Sequence, residues 1–130
     1  LLAKLIEPYQ GKFVYLDIWG SWCGPCMAAL KESHVLKEAL KDHDIIYLYL
    51  ANNTSDEDWK TIINAYGLTG DNIVHYNLPE QQQRAIEEFL QVDGFPFYRL
   101  FDKNGKLYDV DADARHVENM QHFFETVDGK

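Results

Sequence analysis

Cys23 and Cys26, held apart by Gly24 and Pro25, are the residues of this 130-residue chain with most obvious capacity for chemistry. They are its only cysteines, and the segment Trp22-Cys23-Gly24-Pro25-Cys26 falls where an apolar strand hands over to a helix. A sulfur at a helix start faces unpaired backbone N–H groups and the positive end of the helix dipole, and both favour the thiolate. The thiolate is the attacking species in disulfide exchange, so a lowered pKa makes it reactive at neutral pH. Two intervening residues let the second sulfur reach the first, and Pro25 is tolerated in a first helical turn. This predicts an exposed, attacking Cys23 and a more buried, resolving Cys26. A zinc site would need two further ligands, and the closest histidine pair downstream, His116 and His122, is spaced too widely. An inert structural disulfide would close too short a loop to constrain the unfolded chain much.

Asp17 interrupts an otherwise apolar strand six positions before Cys23, on the same pleat face as Phe13, Tyr15 and Trp19. A carboxylate in that setting loses solvent, its pKa rises, and it suits proton transfer near neutral pH. The alternative is a strand-end Asp that reaches water. Phe95-Pro96 opens a later strand, where a proline removes one ladder donor; taken alone, the bond would more often be trans.

The elements that must position these residues follow from the apolar pattern. Leu1 to Ile6 reads as a short helix, and Lys12 to Trp19 as a central strand buried on both faces. One helix is predicted from about Cys23 to Lys41, then a buried strand from Ile45 to Leu50. Ser55 caps a helix that runs to about Tyr66, with Asp56, Glu57 and Asp58 in its first turn. A short strand at Asn72 to Tyr76 and a helix from Glu80 to Leu90 follow. Phe95 to Phe101 and Lys106 to Val110 read as a hairpin across Asp102-Lys103-Asn104-Gly105, and Arg115 to Val127 as a last helix. The order predicts a three-layer α/β/α sandwich: a mixed sheet with parallel strands from right-handed crossovers and a C-terminal antiparallel hairpin.

With 46% hydrophobic and 14% aromatic residues, the chain can bury roughly two thirds of its unfolded surface in one domain without disulfide staples. Residues 1–130 are read as that single domain. The net charge of −9 repels nucleic-acid backbones and anionic lipid surfaces, so no nucleic-acid partner is expected. No apolar run approaches the roughly 20 residues of a membrane span. The opening Leu1-Leu2-Ala3-Lys4-Leu5-Ile6 begins mid-pattern, as in a piece of a longer protein. His34 and His43 read as surface residues. The acidic stretches Asp56 to Asp58 and Asp109 to Asp113 read as solvated faces; the latter lacks the glycine and terminal Glu of a calcium loop. No metal or cofactor is expected.

Trp-Cys-Gly-Pro-Cys after a strand ending Asp-x-Trp, with Gly-Phe-Pro far downstream before Asp-Lys-Asn-Gly-Lys, resembles the thioredoxin family, and within it the TlpA/ResA-like branch of bacterial thiol-disulfide oxidoreductases. The resemblance covers about Gly11 to Asp128. It implies an enzyme acting on protein disulfides or dithiols with a separate redox donor, Cys23 as nucleophile, Cys26 as resolver, and Asp17 as buried acid beneath them. It implies a cis Pro96 facing the sulfurs, with Trp22, Gly24, Pro25 and Phe95 along the substrate groove. Members of the branch mostly work outside the cytoplasm, often in the periplasm. Against the family pattern, Lys31 stands where many relatives place a helix-kinking proline, and Ile45 to Ala51 lacks the lysine that pairs with the buried acid in ordinary thioredoxins. The competing reading is a redox-inactive binding domain of a larger protein.

Overall fold

The computed structural model describes residues 1–129; Lys130, the last residue of the expected domain, lies outside the described residues. The elements run α1 (Leu2–Ile6), a 3₁₀ turn (Glu7–Tyr9), β1 (Phe13–Trp19), α2 (Gly24–Lys31), α3 (Ser33–Ala39), β2 (Ile45–Ala51), α4 (Asp56–Ala65), β3 (Ile73–Tyr76), α5 (Glu80–Leu90), β4 (Phe97–Phe101) and α6 (Val117–Asp128). The four strands lie in the order β3-β2-β1-β4. β1 pairs in parallel with β2, β2 in parallel with β3, and β4 antiparallel with β1.

Alternation along β1 and β2 divides the core into two halves. Phe13, Tyr15 and Trp19 point to one face, where Leu30, Leu36, Met120 and Phe124 of α2, α3 and α6 cover them. Val14, Leu16 and Ile18 point to the other, against Ile86 and Leu90 of α5 and Leu2 and Ile6 of α1. Both strands are apolar on both faces because both are covered by helices. The layered α/β/α architecture expected from the sequence is therefore present.

Three local expectations need correction. The single helix from Cys23 to Lys41 is two, broken at Glu32, whose backbone sits at φ −99°, ψ 2°. The Ser33 hydroxyl donates to the Leu30 carbonyl at 2.8 Å and the Glu32 N–H turns to Ala29 at 3.2 Å, so local bonds compete with the helical ladder. The break forms with Lys31 in place of a proline. Second, the return arm at Lys106 to Val110 is reduced to one bridge between Phe101 and Leu107. Asp102 fixes that turn by accepting from the Asn104 and Lys106 backbone at 2.8 and 2.9 Å. The chain then leaves the sheet so that Ala112 can accept from the buried Tyr15 hydroxyl at 2.6 Å. Third, the His43 side chain is only 5% exposed: its Nδ1 bonds to Asp128 at 2.8 Å and its ring packs on Phe124, tying the α3–β2 connection to the end of α6.

Candidate active site

β1 ends at Trp19, and its carbonyl accepts from the Asn52 N–H at 2.6 Å. Gly20 follows, at a place where no side chain fits. A Cβ there would run into the Trp22 indole and stand 3.0 Å from the Asn52 carbonyl. That close approach lets Trp22 fold back and donate from Nε1 to the Asn52 oxygen at 3.1 Å. Trp22 remains half exposed. Its ring packs edge-on against Phe95, with centroids 5.1 Å apart, so the segment before the cysteines touches the segment before β4. The Phe95–Pro96 peptide is cis. Phe95 also packs on the core cluster that contains both cysteines.

Cys23 is the N-cap of α2, in extended backbone at φ −99°, ψ 105°, and its Sγ accepts from the Cys26 N–H at 3.2 Å. A side-chain acceptor at this position takes up one of the helix's orphan donors; when that acceptor is sulfur, the same donor and dipole favour negative charge on it. Cys23 and Cys26 are joined as a disulfide, with Cα atoms 5.2 Å apart. The exposure expected of Cys23 is confined to 5% of its surface, while Cys26 has none. Gly24 and Pro25 are exposed beside them.

Behind α2 lies a cavity of about 570 Å³. Asp17, Pro25, Ser33, Lys37, Tyr47 and Tyr98 are among the residues of its wall. Asp17 stands in the sheet between Tyr49 of β2 and Tyr98 of β4. It is the one residue of β1 that is not fully buried, because its side chain opens on the cavity. Its Oδ1 is nevertheless sealed from solvent and has no hydrogen-bond partner among the described residues. Burial pushes its pKa up to about 7; the positive charge of Lys37 pulls the other way, as Arg115 does, while Asp113 adds to the rise.

Lys37 was not legible as part of this site. The lysine missing from β2 is supplied by α3, and its ammonium lies over the rings of Tyr47 and Tyr49 at 5.5 and 5.1 Å. Burial pushes its pKa down to about 8, against the pull of Asp17. Its position next to Leu36 on the inward stripe of a helix was the only signal, and a weak one. Asn52 was missed for a similar reason: thirty residues separate it from the indole it holds. Among the described residues no group of three or more His, Cys, Asp or Glu is placed to hold a metal.

Known proteins resemble this chain in sequence and in fold. A sequence profile described as thioredoxin-like matches residues 11–107. The chain is 24% identical over 122 residues to the thiol-disulfide oxidoreductase ResA of Bacillus thuringiensis, covering 94% of this chain and 67% of that one. A solved thiol:disulfide interchange protein from Bacteroides sp. superposes with a TM-score of 0.73 at 22% identity, covering 96% of this chain and 78% of that one. The exposed lipoprotein thioredoxin of Streptococcus pneumoniae superposes with a TM-score of 0.59 at 27% identity, covering 91% and 89%. A disulfide-forming Cys-Gly-Pro-Cys pair at a helix start, on this sheet, agrees with those likenesses: the chain belongs to the thioredoxin-like family and is a thiol-disulfide oxidoreductase.

Proposed function

We propose that the chain reduces disulfides in polypeptide substrates, with Cys23 as nucleophile, Cys26 as resolver and Asp17 as the proton acceptor for the resolving step. The observation that carries this reading is the place of Cys23 at the N-cap of α2, its sulfur receiving a backbone N–H. In the dithiol form, the Cys23 thiolate attacks one sulfur of the substrate disulfide and expels the other as a thiolate, which takes a proton from water. Cys26 then passes its thiol proton to the Asp17 carboxylate and attacks Cys23 Sγ, releasing the second substrate sulfur. Two electrons move from the pair to the substrate, and the pair is left as the disulfide. An external dithiol donor must reduce it again.

Asp17 suits its part because its pKa of about 7 lets it accept and release a proton near neutral pH. Pro25, the neighbour of Cys26, shares the wall of this largely apolar cavity with Asp17, and Ser33 and Lys37 on the same wall give a water beside Asp17 the polar partners it needs to carry the proton away. Trp22, Gly24 and Pro25 on one side and Phe95 with the cis Pro96 on the other form the proposed groove. An extended substrate segment laid there pairs with main-chain groups as an added strand. No helix among the described residues is long and apolar enough to cross a membrane. By its likeness to an exposed lipoprotein thioredoxin, the chain is proposed to work outside the cytoplasm.

The test is to trap the intermediate. A Cys26→Ser variant, reduced and mixed with disulfide-bonded polypeptide, should accumulate an adduct that dithiothreitol releases, and peptide mapping should place it on Cys23. Recovery of no adduct, or of equal adducts from Cys23→Ser, would remove the assigned roles.

A further inference from the structure

Beside the Asn52 loop lies another cavity, of about 760 Å³, between the end of β2, the start of α4 and the helix α5. Its wall contains Gln83, the one buried polar or charged residue of the described core, 4% exposed. Gln83 Nε2 donates to Glu87 Oε2 at 2.9 Å, while its Oε1 is buried with no partner. Asn52 Nδ2 donates to the same Glu87 oxygen at 2.7 Å. Both amides thus converge on Oε2, and Glu87 Oε1 takes no hydrogen bond from the described residues. The acid is fixed in place by neutral donors, and its charge is left without a counter-ion there. Arg84, the cation of this wall, is turned to Glu80 in an exposed pair one helical turn away. Asp56, the remaining acid of the wall, is held by Asn77 at 2.9 Å.

We propose that this cavity receives a lysine or arginine side chain of the polypeptide substrate, close in sequence to the cysteine being exchanged. The wall presents a carboxylate with one oxygen unbonded and no counter-ion, and a cationic N–H donor answers it, while Gln83 Oε1 lies sealed beside it as a further uncompensated acceptor. The cavity wall is also hydrogen-bonded to the segment that precedes the cysteines. The residue that fixes Glu87 with its amide receives Trp22 with its carbonyl, and the next loop residues hold the segment before the cysteines, Thr54 Oγ1 accepting from the Ser21 N–H at 3.0 Å. A substrate lying along Trp22 therefore runs next to the loop that forms part of the cavity wall. The proposal rests on polypeptide disulfides being the substrate.

The experiment uses short cysteine peptides carrying a thionitrobenzoate leaving group, in which one lysine is stepped through the positions on either side of the cysteine. Norleucine peptides serve as neutral equivalents. Single-turnover release of the dye by the reduced protein, followed against peptide concentration, should show an apparent KM lower for lysine than for norleucine by about five- to tenfold at a favoured position, with the limiting rate little changed, as for a hydrogen bond to a partly exposed charge. Glu87→Gln should erase that ratio. Glu118→Gln, the same charge change on the exposed start of α6, should keep it. Equal KM for lysine and norleucine at every position would overturn the proposal. So would a ratio that survives Glu87→Gln, or one that falls equally with Glu118→Gln, since the net charge alone would then be steering. Absence of dye release from every peptide by the fully reduced protein would refute the thiol-exchange reading on which the subsite depends.

Discussion

Replacing Asp17 by Asn removes the one carboxyl group set into β1, and its effect on stability has a defined size and sign. The native pKa is lifted from 3.8 to about 7, chiefly by burial. Between those values the native state holds a proton that the unfolded chain has released, so the parent loses stability as pH rises through that window. A lift of about three units corresponds to about 4 kcal/mol at 1.36 kcal/mol per unit. That is a ceiling, because the carboxylate opens on a cavity. Asn has nothing to ionise, so the pH-independent cost of its amide appears equally at every pH. The stability of Asp17→Asn minus that of the parent should therefore grow by about 2 to 4 kcal/mol between pH 4 and pH 8, most of it between pH 5 and 7. Urea unfolding of both proteins in the oxidised form measures this difference, since the sulfurs then do not titrate and groups common to both cancel. A difference flat to within about 0.5 kcal/mol across that range would show that Asp17 is solvated and refute the reasoning, including its part in proton transfer.

Lys37→Met should move the parent's pH-dependent loss upward by about one pH unit, because removing the positive charge that acts most strongly on Asp17 raises its pKa further; the same urea series reads it, and an unchanged midpoint would disconnect the two groups. In the reduced protein Cys23 should alkylate below pH 8 and at least about tenfold faster than Cys26, by mass spectrometry of quenched samples; equal rates would remove the asymmetry that resolution requires. His43→Ala should cost about 1 to 3 kcal/mol at pH 7, because it leaves the half-buried Asp128 without its closest donor. The hydrogen bond from His43 holds the Asp128 carboxyl below the usual carboxylate range, so this contribution should fade as pH falls through that lowered value, and a cost constant down to pH 2 would contradict the pairing.

The parts legible in the sequence were those whose cause is local or periodic. β1 and β2 could be read because both faces are covered and their runs are apolar without a break, and Asp17 stood out because a charge in such a run is anomalous. The N-cap of α4 was legible because Ser55 and Asp58 are three residues apart, and the observed bond from the Asp58 N–H to Ser55 Oγ, 3.1 Å long, spans that same distance. The α2–α3 break was not, since the apolar stripe runs on through Leu30, Leu36 and Leu40, and only the Ser33 side chain decides against continuity. Lys37 at Asp17, Asn52 at Trp22 and His43 at Asp128 are contacts between residues distant in the chain, made by the sheet order and the folding back of α6. The hairpin arm at Lys106 to Val110 failed because its strand signal ended in Asp109, Asp111 and Asp113, which favour loops. The pairing of Cys23 with Cys26 was legible, as its geometry depends on four consecutive residues and a helix start; the burial of Cys23 was not, because it is set by the packing around that start.

The central claim is that Cys23 and Cys26 together turn over disulfides. Insulin reduction with dithiothreitol as donor, followed by the turbidity of the freed chains, tests it most directly. The parent should accelerate the reaction well beyond the donor alone, and Cys23→Ser should fall back to the uncatalysed rate. A parent no faster than the donor, or a Cys23→Ser variant as fast as the parent, would contradict it.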